Sequence, residues 1–185
     1  PWVYLKKIAP APYLKQIRKA CTEAGCALIF DEVMTSRLAP GGAQELVGVA
    51  PDLTTFGKYF GGGMPFGGFG GKRDWMERHD PTHAQTINSG GTFAQNALSL
   101  AAVDAVLSDL WSPEQCREHN SNADKFRDQI NALMHSLNVP CQAYGSGSLM
   151  TLIWQRRPVI CDTACIDDNQ VLDVSKHRAV SDAAQ

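Results

Sequence analysis

The sequence predicts an α/β fold, and three observations carry that expectation. An amphipathic stretch from Tyr13 to Ala24 is followed at once by an unbroken apolar run, Cys26-Ala-Leu-Ile-Phe30. A second apolar stretch, Leu53-Thr-Thr-Phe56, opens into glycine-rich backbone. Helix followed by buried strand is the repeating unit of α/β architectures.

In the first stretch Tyr13, Leu14, Ile17, Cys21 and Ala24 recur at helical spacing, and Gly25 stands where a C-terminal cap belongs. The run from Cys26 to Phe30 is bounded by that glycine and by charge, which predicts a strand buried on both faces of a parallel sheet. Ligands of open α/β sheets bind beyond the carboxyl ends of the strands, so Asp31-Glu32 puts a carboxylate in a candidate site. Leu53–Phe56 ends at Gly57-Lys58 ahead of Gly61-Gly-Gly63, so a lysine emerges at a second strand end. The two charges are expected to share one crevice.

From Asn96 to Leu110 the Ala- and Leu-rich sequence predicts a largely buried helix. Ser112 with Gln115 three residues on forms a capping box, and Pro113 suits the first helical position. The helix so begun has Phe126, Ile130, Leu133, Met134 and Leu137 on one face. A domain boundary is expected near Ser112, dividing residues 1–111 from 112–185. Gly145-Ser-Gly-Ser148 reads as a turn into a strand from Leu149 to Trp154, and beyond Gln155 periodic apolar positions are too few to predict an element.

Composition excludes several functions. A formal net charge of -2, with both signs scattered, leaves no electrostatic footprint for nucleic acid or an anionic membrane. The longest apolar run falls far short of the ~20 residues of a membrane helix. The chain opens Pro1-Trp-Val-Tyr-Leu-Lys-Lys, without an initiator Met or the regions of a signal peptide, so it is expected to start inside a longer protein. Six cysteines without a CxxC pattern point to free thiols in a reducing compartment, the cytoplasm. No metal is expected: Cys161 and Cys165 lack a second pair, and Pro81 denies His79 and His83 the helix that would align them.

The glycine-rich segments do not fit a nucleotide cradle. Lys58 and Lys72 each follow a glycine, yet the glycine required five positions earlier is Asp52 in one case and Phe66 in the other, and neither lysine precedes Ser or Thr. The segment from Leu53 through Lys58 to Gly71 instead resembles the cofactor-lysine region of class III aminotransferases. Phe30-Asp-Glu-Val-Met-Thr35, Gly41-Gly-Ala-Gln44 and Gly90-Gly-Thr92-Phe fit the same family. The likeness runs over residues 1–154 and is greatest to glutamate-1-semialdehyde aminomutase and its aminotransferase relatives.

That resemblance implies a fold-type I, pyridoxal-phosphate-dependent enzyme: part of a large domain, mostly parallel sheet with flanking helices, then part of a small α+β C-terminal domain. It implies pyridoxal 5'-phosphate held by Lys58 as a Schiff base, Asp31 on the ring nitrogen, Val33 against the ring face, and Gly91 and Thr92 at the phosphate. In the family the Thr92 contact crosses a subunit interface, implying a homodimer. The substrates implied are a small-molecule amine donor and a keto or aldehyde acceptor. The chemistry asks for such residues: the lysine amine must be able to lose its proton, which partial desolvation favours, and a carboxylate keeps the ring nitrogen protonated. Taken singly, Lys58 reads as a solvated surface residue, Asp31 as a cap or ion-pair partner and Gly-Gly-Thr as a turn; only their joint occurrence is specific. Arg37 reads as a structural ion-pair partner in preference to a contact for substrate carboxylate.

The family's first half, which cups the phosphate and stacks an aromatic on the ring, has no counterpart in these residues. The chain by itself is therefore expected to be inactive, with strands near Phe30 and Phe56 short of sheet partners and apolar faces exposed. Transaminase and semialdehyde aminomutase both stay open. The alternative is a non-catalytic truncated paralogue acting as an interaction subunit.

Overall fold

The computed structural model describes residues 2–3, 7–8, 10–87, 90–91 and 94–154. Thr92, Cys161, Cys165 and everything beyond Trp154 lie outside the described residues. The chain opens with a short antiparallel pair, β1 (Trp2–Val3) and β2 (Lys7–Ile8). Helix α1 (Ala11–Glu23) follows, with a proline in its first turn and Gly25 in the left-handed region (φ +64°) beyond its end. Its stripe of Leu14, Ile17 and Cys21 packs on Leu28, Phe30, Val47 and Val49, while Tyr13 lies off the stripe and is exposed.

A three-stranded sheet carries the site. Its order is β3 (Ile29–Asp31), β4 (Leu53–Gly57), β5 (Gly67–Gly71), with β3 parallel and β5 antiparallel to β4. The parallel register sets Ile29 against Leu53, Phe30 against Thr54 and Asp31 against Thr55. Two expectations are corrected. β3 is buried on one face only, since Phe30 is 3% exposed but Ile29 55%; α1 covers one side, and no described element covers the other. The strand near Phe56 is not short of partners, since β4 is paired on both edges, whereas β3 near Phe30 pairs on one edge only among the described residues and keeps the expected open edge.

Strand β5 escapes a propensity reading because four of its five residues are glycine. Close approach explains one of them: a methyl group on Gly71 would fall 2.9 Å from Leu53 Cα across the ladder. Asp52 then ties the base of the sheet to α1. Its carboxylate accepts from Arg18 Nη1 (2.6 Å), Lys72 Nζ (2.6 Å) and the Leu28 N–H (2.7 Å).

After the short helices α2 (Gly42–Val47) and α3 (Arg73–Met76), α4 (Ala97–Ala105) is capped by Asn96 and passes into a π-helical turn, Val106–Leu110. The expected largely buried helix is not what is found: only Ser99 is buried, while Leu98, Leu100, Leu107 and Leu110 are exposed. No described element covers that face. Helix α5 (Pro113–Ser136) forms both bonds of the capping box anticipated at Ser112 and Gln115.

The packed face of α5 also differs from the apolar one expected. Phe126, Leu133 and Leu137 are exposed, and Cys116 and Asn120 are buried instead. The helix docks by hydrogen bonds onto a hairpin of β6 (Cys141–Ser146) and β7 (Leu149–Trp154), turned at Gly147-Ser148. Asn131 donates to the Ala143 carbonyl (2.9 Å) and accepts its N–H (2.7 Å), and Asn120 accepts the Ser148 N–H (2.9 Å). Each amide stands in for a backbone partner.

Candidate cofactor site

The sheet brings three of the anticipated residues to one place. Asp31 closes β3, Lys58 follows β4 immediately, and the parallel register leaves Asp31 beside Thr55, three residues before the lysine. Val33 leans over the joint: a methyl group on Gly57 would lie 3.4 Å from Val33 Cγ1. Asp31 and Lys58 are both exposed, and Val33 is half-buried. The strand pairing brings the two charged strand ends to the same end of the sheet.

Asp31 and Glu32, adjacent in sequence, serve opposite faces. Asp31 Oδ1 accepts from Thr55 Oγ1 (3.0 Å) and the Val33 N–H (3.1 Å). Glu32 is fully buried and accepts from Thr35 Oγ1 (3.0 Å), the Ala43 N–H (2.7 Å) and the Gln44 N–H (2.9 Å), so it holds the start of α2. Glu32 is structural; Asp31 faces outward.

Lys58 has an unusual backbone. Its φ is +55°, in the left-handed region that costs a side-chain-bearing residue energy and that recurs at functional sites. The turn Lys58–Gly61 is locked from behind by rings: Tyr59 stacks on Phe60 at 4.4 Å and meets Trp111 at 5.2 Å, and Phe60 meets Phe56 edge-on at 5.6 Å. Burial pushes the Tyr59 phenol up to about 12, so it stays neutral beside the lysine turn. Among the described residues Lys58 makes no ion pair, whereas Lys72 is held by Asp52.

Gly91 sits in an exposed turn whose carbonyl accepts the Ala94 N–H at 2.9 Å. Arg37 departs from its expected ion pair. Among the described residues it has no carboxylate partner; its Nη2 donates to the Ser148 carbonyl at 3.3 Å, and burial lowers its pKa. His79 lies edge-on to Phe69, and no group of metal-ligating side chains occurs among the described residues. No described helix is long and apolar enough to cross a membrane. Sequence reasoning passed over Thr55, and the only signal for it was its place three residues before Lys58.

A family model described as "Aminotransferase class-III" matches residues 6–164. The chain belongs to the class III aminotransferase family. Members of that family are pyridoxal-phosphate-dependent enzymes of the fold-type I architecture, of which this chain is a partial α/β unit. It is 44% identical over 138 residues to the β-phenylalanine transaminase of Variovorax paradoxus, covering 75% of this chain and 32% of that protein. The solved structure of that enzyme superposes with a TM-score of 0.71 at 42% identity over 80% of this chain and 34% of its own. A glutamate-1-semialdehyde 2,1-aminomutase of Methanosarcina acetivorans is 40% identical over 82% of this chain and 36% of its own. A transaminase solved with PLP bound has a TM-score of 0.71 at 27% identity, covering 78% of this chain and 34% of that one. The chain thus spans about a third of the length of the relatives it matches.

Proposed function

We propose that this chain carries the cofactor lysine of a pyridoxal-phosphate-dependent amino-group transfer, as a transaminase or a glutamate-1-semialdehyde aminomutase-like enzyme, with Lys58 as the covalent anchor. The single observation that carries this reading is that Asp31 and Lys58 stand at the ends of paired parallel strands, with Val33 against Gly57. The residues fit the cofactor: an outward carboxylate with one oxygen already engaged suits a protonated ring nitrogen, and an exposed amine without an ion-pair partner among the described residues is open to a reactive carbonyl, although those residues do not supply the partial desolvation expected around it.

When bound, pyridoxal phosphate supplies an electron sink for the charge left at the substrate carbon. Asp31 holds the proton on the ring nitrogen. Val33 offers an apolar surface to one ring face and excludes water there. Lys58 Nζ would hold the cofactor covalently, and its free amine would move the proton at the substrate carbon as base and then acid. Gly91 and Thr92 serve the phosphate across a homodimer interface, with an amine donor and a keto or aldehyde acceptor as substrates. Residues 1–111 belong to the cofactor-binding domain and 112–185 to a second domain. Alone, the chain is without turnover, because the face bearing Asp31, Lys58 and Ile29 is open. A second reading, an interaction subunit without catalysis, draws on the exposed leucines of α4.

The deciding experiment adds pyridoxal phosphate to the chain and to Lys58→Ala, reduces with borohydride and maps the adduct by mass spectrometry. The reading expects labelling concentrated on Lys58 and lost in the variant. Labelling spread over the other lysines, with Lys58 no more modified than they are, would overturn it. An amine donor given to the unmodified chain should yield no keto product.

A further inference from the structure

We infer that Thr55 is the positioning residue for Asp31, fixing which carboxylate oxygen is presented to a cationic ring nitrogen; this rests on the function proposed above. Two threonines stand side by side on β4, and strand alternation sends them to opposite faces. Thr54 is buried and accepts from Gln44 Nε2 at 3.4 Å, within the α2 side of the sheet. Thr55 points the other way and donates its hydroxyl to Asp31 Oδ1 at 3.0 Å. The Val33 N–H reaches the same oxygen at 3.1 Å.

Both bonds therefore converge on Oδ1, and among the described residues nothing donates to Oδ2. An exposed aspartate ordinarily samples several rotamers. Here one donor comes from the turn that follows its strand and one from the neighbouring strand, which pins χ1 and leaves Oδ2 as the outward acceptor. The Thr55 carbonyl accepts the Glu32 N–H at 3.2 Å, so main chain and side chain of Thr55 together hold the end of β3. At metal sites, hydrogen bonds that orient a ligating side chain matter about 10- to 100-fold for binding, and a carboxylate that orients a cationic ring nitrogen depends on its supporting bonds in the same way.

The test reads Asp31 directly and needs no cofactor. In uniformly labelled chain, three-bond couplings from the Asp31 carboxyl carbon to its backbone nitrogen and carbonyl report χ1. Wild type is expected to show a single rotamer, Thr55→Val to show averaged couplings, and Thr55→Ser, which restores a hydroxyl, to return to the single rotamer. Valine keeps the shape and β-branching that suit the strand. Unchanged couplings in Thr55→Val, averaging in Thr55→Ser, or loss of the folded spectrum in Thr55→Val would each overturn the inference, the last by assigning the hydroxyl to the fold instead of to Asp31. Absence of a Lys58 adduct would defeat the proposed function while leaving the rotamer result standing, so the two fail separately. Where the adduct does form, pyridoxal phosphate retention should fall about ten-fold in Thr55→Val and recover in Thr55→Ser.

Discussion

Gly57 lies directly against Val33: a methyl group there would sit 3.4 Å from Val33 Cγ1, at van der Waals contact, and a tighter 3.2 Å from the Phe66 carbonyl oxygen. Its φ of 175° is extended backbone open to any residue, so what favours glycine is the close Phe66 carbonyl. Alanine would press on the carbonyl of the connection to β5 and on the valine assigned to the ring face. Gly57→Ala is expected to cost about 1–2 kcal/mol in urea unfolding and to reduce borohydride-trapped labelling of Lys58. Wild-type stability together with wild-type labelling would show that the joint is loose.

Asp31 and Glu32 should separate function from stability. Asp31 is exposed, and its Oδ1 bonds survive in asparagine, so Asp31→Asn should leave unfolding free energy within about 0.5 kcal/mol of wild type. It should nonetheless weaken pyridoxal phosphate retention, because a neutral amide does not favour a protonated ring nitrogen. Glu32→Ala should do the reverse to stability: it orphans the Ala43 and Gln44 N–H groups and leaves a cavity, at about 3 kcal/mol or more. Urea titration of both variants checks the contrast, and equal losses of stability would refute it.

What the sequence disclosed and what it hid divide along physical lines. Local signals were legible: the period of α1, the cap at Gly25, the capping box at Ser112 and the strand end at Asp31 depend on neighbours in the chain. Tertiary pairings were not. Glycine-rich β5 has no propensity signal, and its position comes from close approach to β4. The packed face of α5 was misread because it is polar, with Asn120, Arg127 and Asn131 bonding to backbone, while the apolar residues expected there include three that are exposed. Thr55 became visible only with the register that sets it beside Asp31.

Lys58 is held at φ +55°, where glycine rests without penalty and a residue with a side chain does not. On the proposed function, a lysine is kept in that conformation on an exposed turn for the chemistry of its amine and not for the fold. Lys58→Gly should therefore raise unfolding free energy by about 1 kcal/mol, and Lys58→Ala should change it by less. Both should abolish site-specific labelling by pyridoxal phosphate. Destabilisation by Lys58→Gly would show that the side chain supports the turn through packing.

Asp52 sets the acid limit of the fold. The Leu28 N–H, Lys72 and Arg18 hold its carboxyl well below the usual carboxylate range, in that order of weight. A folded-state value below the unfolded one makes the group bind more protons when unfolded, so its contribution is complete above the unfolded value of about 4 and drains away as pH falls below it. Wild type should therefore lose stability below pH 4 with a slope approaching 1.4 kcal/mol per pH unit from this one group. Asp52→Asn removes the anion that two cations and an amide share, and it should cost about 2–3 kcal/mol at pH 7. The difference between wild type and Asp52→Asn, measured by urea unfolding from pH 7 to pH 2, isolates the effect from the other carboxylates. It should shrink steadily on acidification below pH 4; a difference constant across that range would show that Asp52 titrates alike in the folded and unfolded chain.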